Sequence, residues 1–139
     1  MTAPSISNAL SHDAKTGFLR ALDGSGAKYD ILRFPLVDYD PSVLGERIDS
    51  FRPDGIITAT NIAGLEVLSH LERRKLTGVR FITFDDNRWL QFCSLSAIRQ
   101  NTAILTESIK QTICSKQGTP QKILIPQELI IRRGGMIGT

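Results

Sequence analysis

Apolar positions along this chain recur at helical spacing in some stretches and in short continuous runs in others. Ala14, Phe18 and Leu22 recur every four residues, which predicts a helix over 11–22 with Ser11 able to cap its start. Gly24, Ser25 and Gly26 then stop it. Asp30-Ile31-Leu32-Arg33-Phe34 is a candidate strand, and Pro35 limits its ladder bonding. Asp40 and Pro41 open a second helix: an aspartate suits the N-cap, and proline suits the first turn, where its missing N–H would have no partner. Val43, Leu44, Ile48 and Phe51 are its expected buried face.

The turn Arg52-Pro53-Asp54-Gly55 leads into 56–60, a short apolar run of the kind expected for a buried parallel strand. A third helix is expected over about 62–75, with Leu65, Leu68 and Leu71 on one side and Arg73, Arg74 and Lys75 in its last turn, where cations complement the helix dipole. Residues 79–84 predict a further strand ending at Asp85-Asp86-Asn87, and 96–100 a short one. Asn101 is the expected cap of a helix to about residue 116, striped by Ile104, Leu105, Ile109 and Ile113 and broken by Gly118 and Pro120. Residues 123–126 and 129–131 make a closing extended segment. Strands separated by helices imply crossovers, hence an α/β fold with a parallel sheet covered by helices on both faces.

Bulk composition changes this picture little. At 139 residues the chain suits one domain, and 41% hydrophobic with 22% charged residues excludes a disordered tail. A net charge of +3, scattered along the chain, gives no nucleic-acid footprint by itself. No apolar run approaches the roughly 20 residues that span a bilayer, and residues 1–10 show no export signal, so a cytoplasmic protein without membrane contact is expected. Cys93 and Cys114 lack motif spacing and read as free thiols.

In an open parallel sheet, ligands bind beyond the carboxyl ends of the strands. Three such ends are polar here: 38–40, 58–61 and 85–87. Their carboxylates, amides and hydroxyls, with the Tyr39 ring, suit a small polyhydroxylated ligand. Duller roles compete at each position. Asp40 and Asn61 can cap helices, Asp85 and Asp86 can end a strand or hold a magnesium ion, and Tyr39 can simply pack. Catalysis finds no motif: the only histidines are His12 and His70, and there is no phosphate-binding glycine loop, no serine elbow and no zinc spacing. Neither an enzyme, a cofactor nor a metal is expected. The Arg132-Arg133-Gly134-Gly135 end reads as a basic, frayed terminus.

Several segments, taken in order, resemble the LacI/GalR family of transcription regulators. Gly17-Phe18-Leu19-Arg20-Ala21-Leu22 resembles that family's Gly-Phe…Ala-Leu helix, and Pro53-Asp54-Gly55-Ile56-Ile57 through Asn61 its Pro-Asp-led strand and loop. Val79 through Phe84-Asp85-Asp86 is similar to its Phe-Asp-Asp strand, Ser96-Ala97-Ile98-Arg99-Gln100 to its Thr-Thr-Val-Arg-Gln segment, and Ile125-Pro126-Gln127-Glu128-Leu129-Ile130-Ile131-Arg132 to its closing Leu-Pro-x-Glu-Leu run. The match covers about residues 13–134.

The resemblance implies the effector-binding core of such a regulator, a periplasmic-binding-protein type I-like fold. Residues 11–100 and 127–134 would form its C-terminal subdomain, and 101–126 a remnant of the N-terminal one. It implies a sugar or sugar-like effector held by Asp85, Asn61, Thr60 and Tyr39, and a homodimer formed through Leu65, Leu68, Trp89 and Phe92. The chain departs from the family at Ala14, where an effector-binding arginine would fall, and at Thr60, where asparagine is usual; both changes point to a different effector or a weakened site. Operator DNA would be bound only through a headpiece that this chain lacks, so a longer native protein is expected. The 104–113 stripe would then pack on a second chain or on the rest of its subdomain. A periplasmic-type sugar-binding protein of the same fold is the alternative reading.

Overall fold

The structure is a computed structural model that describes residues 6–33, 38–114 and 122–132, with side chains from residue 14 onward. These residues fall into two compact units that divide after Arg52.

In the first unit, α1 (Ile6–Leu22) begins five residues before the expected Ser11 cap. It ends where Gly24 takes a left-handed φ of 72°, a conformation that carries no Cβ penalty in glycine. Residues 30–33 form no strand, and Phe34 lies outside the described residues. The stretch is held by side chains instead. Tyr29 meets Phe18 edge-on with ring centroids 6.0 Å apart, and Asp30 takes a two-pronged ion pair from Arg47, whose Nη2 lies 3.0 Å from Oδ1. That pairing holds the Asp30 carboxyl below its ordinary pKa.

α2 (Pro41–Phe51) starts as the sequence indicates, with Asp40 extended and its carboxylate accepting from the Ser42 N–H at 2.9 Å. It closes on Arg52, left-handed at φ 49°, whose N–H donates to the Ile48 carbonyl. Leu44, Gly45 and Ile48 are buried. Val43 and Phe51, expected beside them, are exposed.

The second unit holds a four-stranded sheet in the order β1 (Gly55–Thr58), β2 (Arg80–Phe84), β3 (Ser96–Gln100), β4 (Gln127–Ile130). The first three strands are parallel and β4 runs antiparallel to β3. The fold is α/β as expected, with one strand reversed. The register gives the reason: Gln100, the last residue of β3, pairs with Gln127, the first of β4. The chain leaves through α5 (Thr102–Cys114) and returns as an extended segment at the end it left, so it can only run back.

The β1–β2 crossover is α3 (Asn61–Arg73), and it packs through Ala63, Gly64, Val67 and Leu71. Of the expected stripe only Leu71 is buried, while Leu65 is exposed and Leu68 half-buried. Two small residues explain the rotation. A Cβ on Gly64 would stand 3.1 Å from Thr83 Oγ1 and 3.3 Å from Thr58 Oγ1, so the bare glycine lets the helix backbone lie on the sheet. Phe81, Leu71, Leu90, Leu95 and Val67 are fully enclosed in this unit, each contributing about 2 kcal/mol through burial. Leu90 belongs to α4 (Arg88–Phe92), a short helix between β2 and β3. On the sheet face away from α3, the edge residues Ile57 and Leu129 remain exposed, so cover there is less complete than expected. No helix among the described residues is long and apolar enough to cross a membrane, and Cys93 and Cys114 are free thiols.

Candidate functional site

Because β1 and β2 are parallel and Thr58 is in register with Thr83, residues 59–61 and 84–87 leave the sheet side by side at one edge. Neighbouring strands lie about 4.8 Å apart, so groups from both ends can reach one small molecule.

At the β1 end, Thr60 is extended and its Oγ1 accepts from the Ala63 N–H at 3.3 Å. Thr60, not Asn61, is therefore the cap of α3, and Asn61 opens the helix. The α3 N-terminus, with its partial positive charge, thus lies at this edge. Two polar atoms here, Thr58 Oγ1 and Asn61 Oδ1, are buried without a hydrogen-bond partner among the described residues. A buried oxygen in that condition loses about 1–3 kcal/mol relative to a satisfied one.

At the β2 end the two adjacent aspartates have opposite environments. Asp85 is exposed and left-handed at φ 67°, a conformation aspartate tolerates better than most residues. Its N–H donates to the Ile98 carbonyl at 2.8 Å and its carbonyl accepts from the Asn87 N–H at 3.0 Å. That turn sends Asp86 inward, where its side chain is only 2% exposed. Asp86 Oδ2 accepts from Arg132 Nη2 at 2.8 Å, and Arg99 Nη1 lies 3.8 Å away. The Arg132 hydrogen bond holds the Asp86 carboxyl below its ordinary pKa against the opposing effect of burial.

Arg132 is fixed in turn. Its Nη1 donates to the Leu95 carbonyl at 2.8 Å, and its backbone N–H donates to Ser96 Oγ at 3.1 Å. The basic end expected to fray is therefore anchored at Arg132, and residues 133–135 lie outside the described residues. Asp86 and Arg132 are the pair that reading the sequence missed. The available signal was an arginine directly after the apolar run 129–131, at a strand end that could meet an acidic loop.

The structure thus brings Thr60, Asn61 and Asp85 to one sheet edge. Tyr39 is half-buried and belongs to the first unit. Of the residues expected at an interface, Leu65 is 47% and Phe92 91% exposed. Trp89 is half-buried and folds onto its own unit, with its ring 3.5 Å from where a Gly64 Cβ would stand.

Among the described residues no group of three or more His, Cys, Asp or Glu converges as a metal site. Asp85 and Asp86 do not act as a chelating pair, because Asp86 Oδ2 is engaged by Arg132 while Asp85 faces solvent. What the edge exposes is the Asp85 carboxylate, while the Thr58 and Asn61 side-chain oxygens are buried and Thr60 Oγ1 caps α3. An exposed carboxylate of this kind can accept hydrogen bonds from hydroxyls. Comparison with protein-family models, curated proteins and solved structures returns no match to this chain.

Proposed function

We propose that this chain is the effector-sensing part of a LacI/GalR-type transcription regulator, binding a sugar or sugar-like polyhydroxylated molecule. The observation that carries this reading is the exposed Asp85 carboxylate beside the capped start of α3 and Asn61. Asp85 accepts hydrogen bonds from two neighbouring hydroxyls, and Thr60 holds the α3 terminus in place. The five motif segments between residues 17 and 132 support the family assignment and, with it, a type I periplasmic-binding-protein-like arrangement.

Effector binding then acts by differential affinity: the ligand favours one arrangement of the sensing core, and that preference changes operator affinity in the regulator. We assign the chain no catalytic step and place it in the cytoplasm, where such regulators meet DNA. In the working assembly it pairs as a homodimer through the face bearing Leu65, Leu68 and Phe92, with Trp89 supporting that face from within.

Thermal-shift measurements against monosaccharides, disaccharides, polyols and sugar phosphates at millimolar concentration test this reading. At 100 times its dissociation constant a ligand stabilises by about 2.7 kcal/mol, an easily read shift. Asp85→Asn should abolish the shift while leaving the ligand-free melt unchanged, because the carboxylate is exposed. A panel without any shift, or a shift that survives Asp85→Asn, removes the proposal.

A further inference from the structure

The connection from α3 to β2 carries more positive charge than the end of a helix requires. Residues 72–80 hold Arg73, Arg74, Lys75 and Arg80 against one acid, Glu72, and all four cations are exposed. Because β1 and β2 are parallel and Gly55 pairs with Arg80, this connection lies at the amino ends of the strands, opposite the edge that bears Asp85. Among the described residues neither Arg73 nor Lys75 has a carboxylate partner. Arg73 Nε donates instead to the Ser69 carbonyl of its own helix at 3.3 Å. Arg80 Nη2 stands 3.8 Å from Asp54 Oδ2, and with side chains 73% and 94% exposed that pair is weak.

Helix chemistry explains part of this charge. Cations in a last turn complement the helix dipole, which accounts for Arg73 and Arg74. Lys75 is different. The Leu76 N–H donates to the Leu71 carbonyl at 2.9 Å and the Lys75 N–H to the Glu72 carbonyl at 3.1 Å, the paired bonds of a helix stop that is usually built on glycine. Lys75 occupies the glycine position of that stop and is left-handed at φ 51°. Glycine adopts this conformation freely and lysine does not, so the position gives up stability to carry a charge. Arg80 opens a strand and has no helix end to complement. Cations on both sides of one turn, one of them held against its own backbone preference, mark a surface for an anionic partner.

We infer that the α3–β2 turn is a docking surface for a short acidic segment of a partner protein, whose carboxylates meet Arg73, Lys75 and Arg80. Its size suits a peptide: the backbone from Lys75 to Arg80 spans at most about 17 Å, the length of roughly five extended residues. Asp54 decides between a peptide and a nucleic acid. It is an exposed carboxylate inside the patch, beside Arg80. A nucleic-acid strand carries a phosphate charge at every step and sets one of them against Asp54. A peptide can set an uncharged side chain there and keep its acids on the cations. The turn lies at the opposite end of the strands from Asp85, so the inference is independent of the effector reading.

Fluorescence anisotropy of a labelled oligoglutamate peptide of about six residues, titrated with the whole chain in about 50 mM salt, tests it. Saturable binding with a Kd of about 100 μM is expected, weakening about tenfold in about 300 mM salt. Arg73→Glu and Lys75→Gly should each weaken binding about fivefold or more. Lys110→Glu, the same charge change as Arg73→Glu but on α5, should leave it unchanged. Lys75→Gly should also raise the melting temperature by roughly 4 °C, because it relieves the left-handed residue. Affinity and stability that move in opposite directions separate a lost contact from a damaged fold. Absence of saturable binding overturns the inference, and so does binding that ignores Arg73→Glu and Lys75→Gly or that Lys110→Glu weakens as much. A Lys75→Gly chain that loses stability overturns the argument from strain and the inference with it. Tighter binding of a DNA duplex of about 12 base pairs, weakened by the same substitutions, assigns the surface to nucleic acid and overturns the peptide reading.

Discussion

Replacing Asp86 should destabilise the second unit far more than replacing Asp85, although the two are neighbours in sequence. In Asp86→Ala, Arg132 Nη2 loses an acceptor at 2.8 Å while Nη1 stays tied to the Leu95 carbonyl and the backbone to Ser96. The guanidinium is 20% exposed, so water recovers part of the lost bond but not all of it. Breaking a buried ion pair by deleting one partner typically costs about 3–5 kcal/mol; partial exposure of Arg132 places this case at about 3. Asp86→Asn keeps the shape and an acceptor oxygen but loses the charge, which leaves a cost of about 1–2 kcal/mol. Trp89 is the single tryptophan and lies in this unit, so its fluorescence during urea unfolding reads the relevant transition. A double-mutant cycle with Arg132→Met should show a coupling of at least about 1.5 kcal/mol. Additive losses, or an Asp86→Ala loss below about 1 kcal/mol, would refute the idea that this pair holds the loop after β2 in place.

The same pair sets an acid limit. Because the folded Asp86 carboxyl lies below its unfolded value of about 3.9, its contribution is complete above that pH and disappears as pH falls through the lower, folded value. Urea midpoints measured from pH 6 down to 2.5 should therefore drop more steeply for the native chain than for Asp86→Asn. Gly64→Ala gains roughly 1 kcal/mol of helix propensity but forces Thr83 and Thr58 back by a few tenths of an ångström, so the net change should be small. Gly64→Val adds two methyl groups against the same threonines and Trp89, and should lose about 2–3 kcal/mol with a shifted Trp89 emission maximum. Thr60→Ala, which removes the α3 cap, should cost about 1 kcal/mol in the same unfolding measurement.

The readable part of the fold is the part set by local signals. Asp40-Pro41 and Asn101 cap helices where short polar side chains can reach free N–H groups, and Ile104 N does donate to Asn101 Oδ1 at 3.1 Å. Strands 55–58 and 80–84 stand out because short runs rich in Ile, Thr and Phe suit a sheet packed on a helix. The misread elements depended on tertiary context. Residues 30–33 carry a strand-like composition, but an ion pair to Arg47 and the Tyr29–Phe18 ring contact satisfy the segment without a ladder. The leucines point to the wrong face of α3, because what decides a helix's closest approach is where it lacks a side chain, at Gly64. The reversal of β4 depends on the end at which the chain re-enters the sheet, and no local pattern records that.

The candidate site divides in the same way. Asp85-Asp86 at the end of an apolar strand is legible as a polar sheet edge, and placement beyond the carboxyl ends follows from the crossovers alone. Which aspartate faces a ligand is not legible, because it turns on one backbone angle. With Asp85 left-handed, the following residue is redirected into the unit, and an arginine 46 positions later waits there. An extended Asp85 would have left the inward carboxylate without that partner, and burying a charge unpaired is far costlier than the roughly 1 kcal/mol of a left-handed aspartate. The ion pair therefore holds the strained residue in place. The polar edge is thus supported from inside: Asp86 and Arg132 set the conformation, and Asp85, whose own carboxylate takes no part in that support, is left free to meet a ligand. A substitution at Asp85 can then change binding without changing the fold, whereas one at Asp86 changes both.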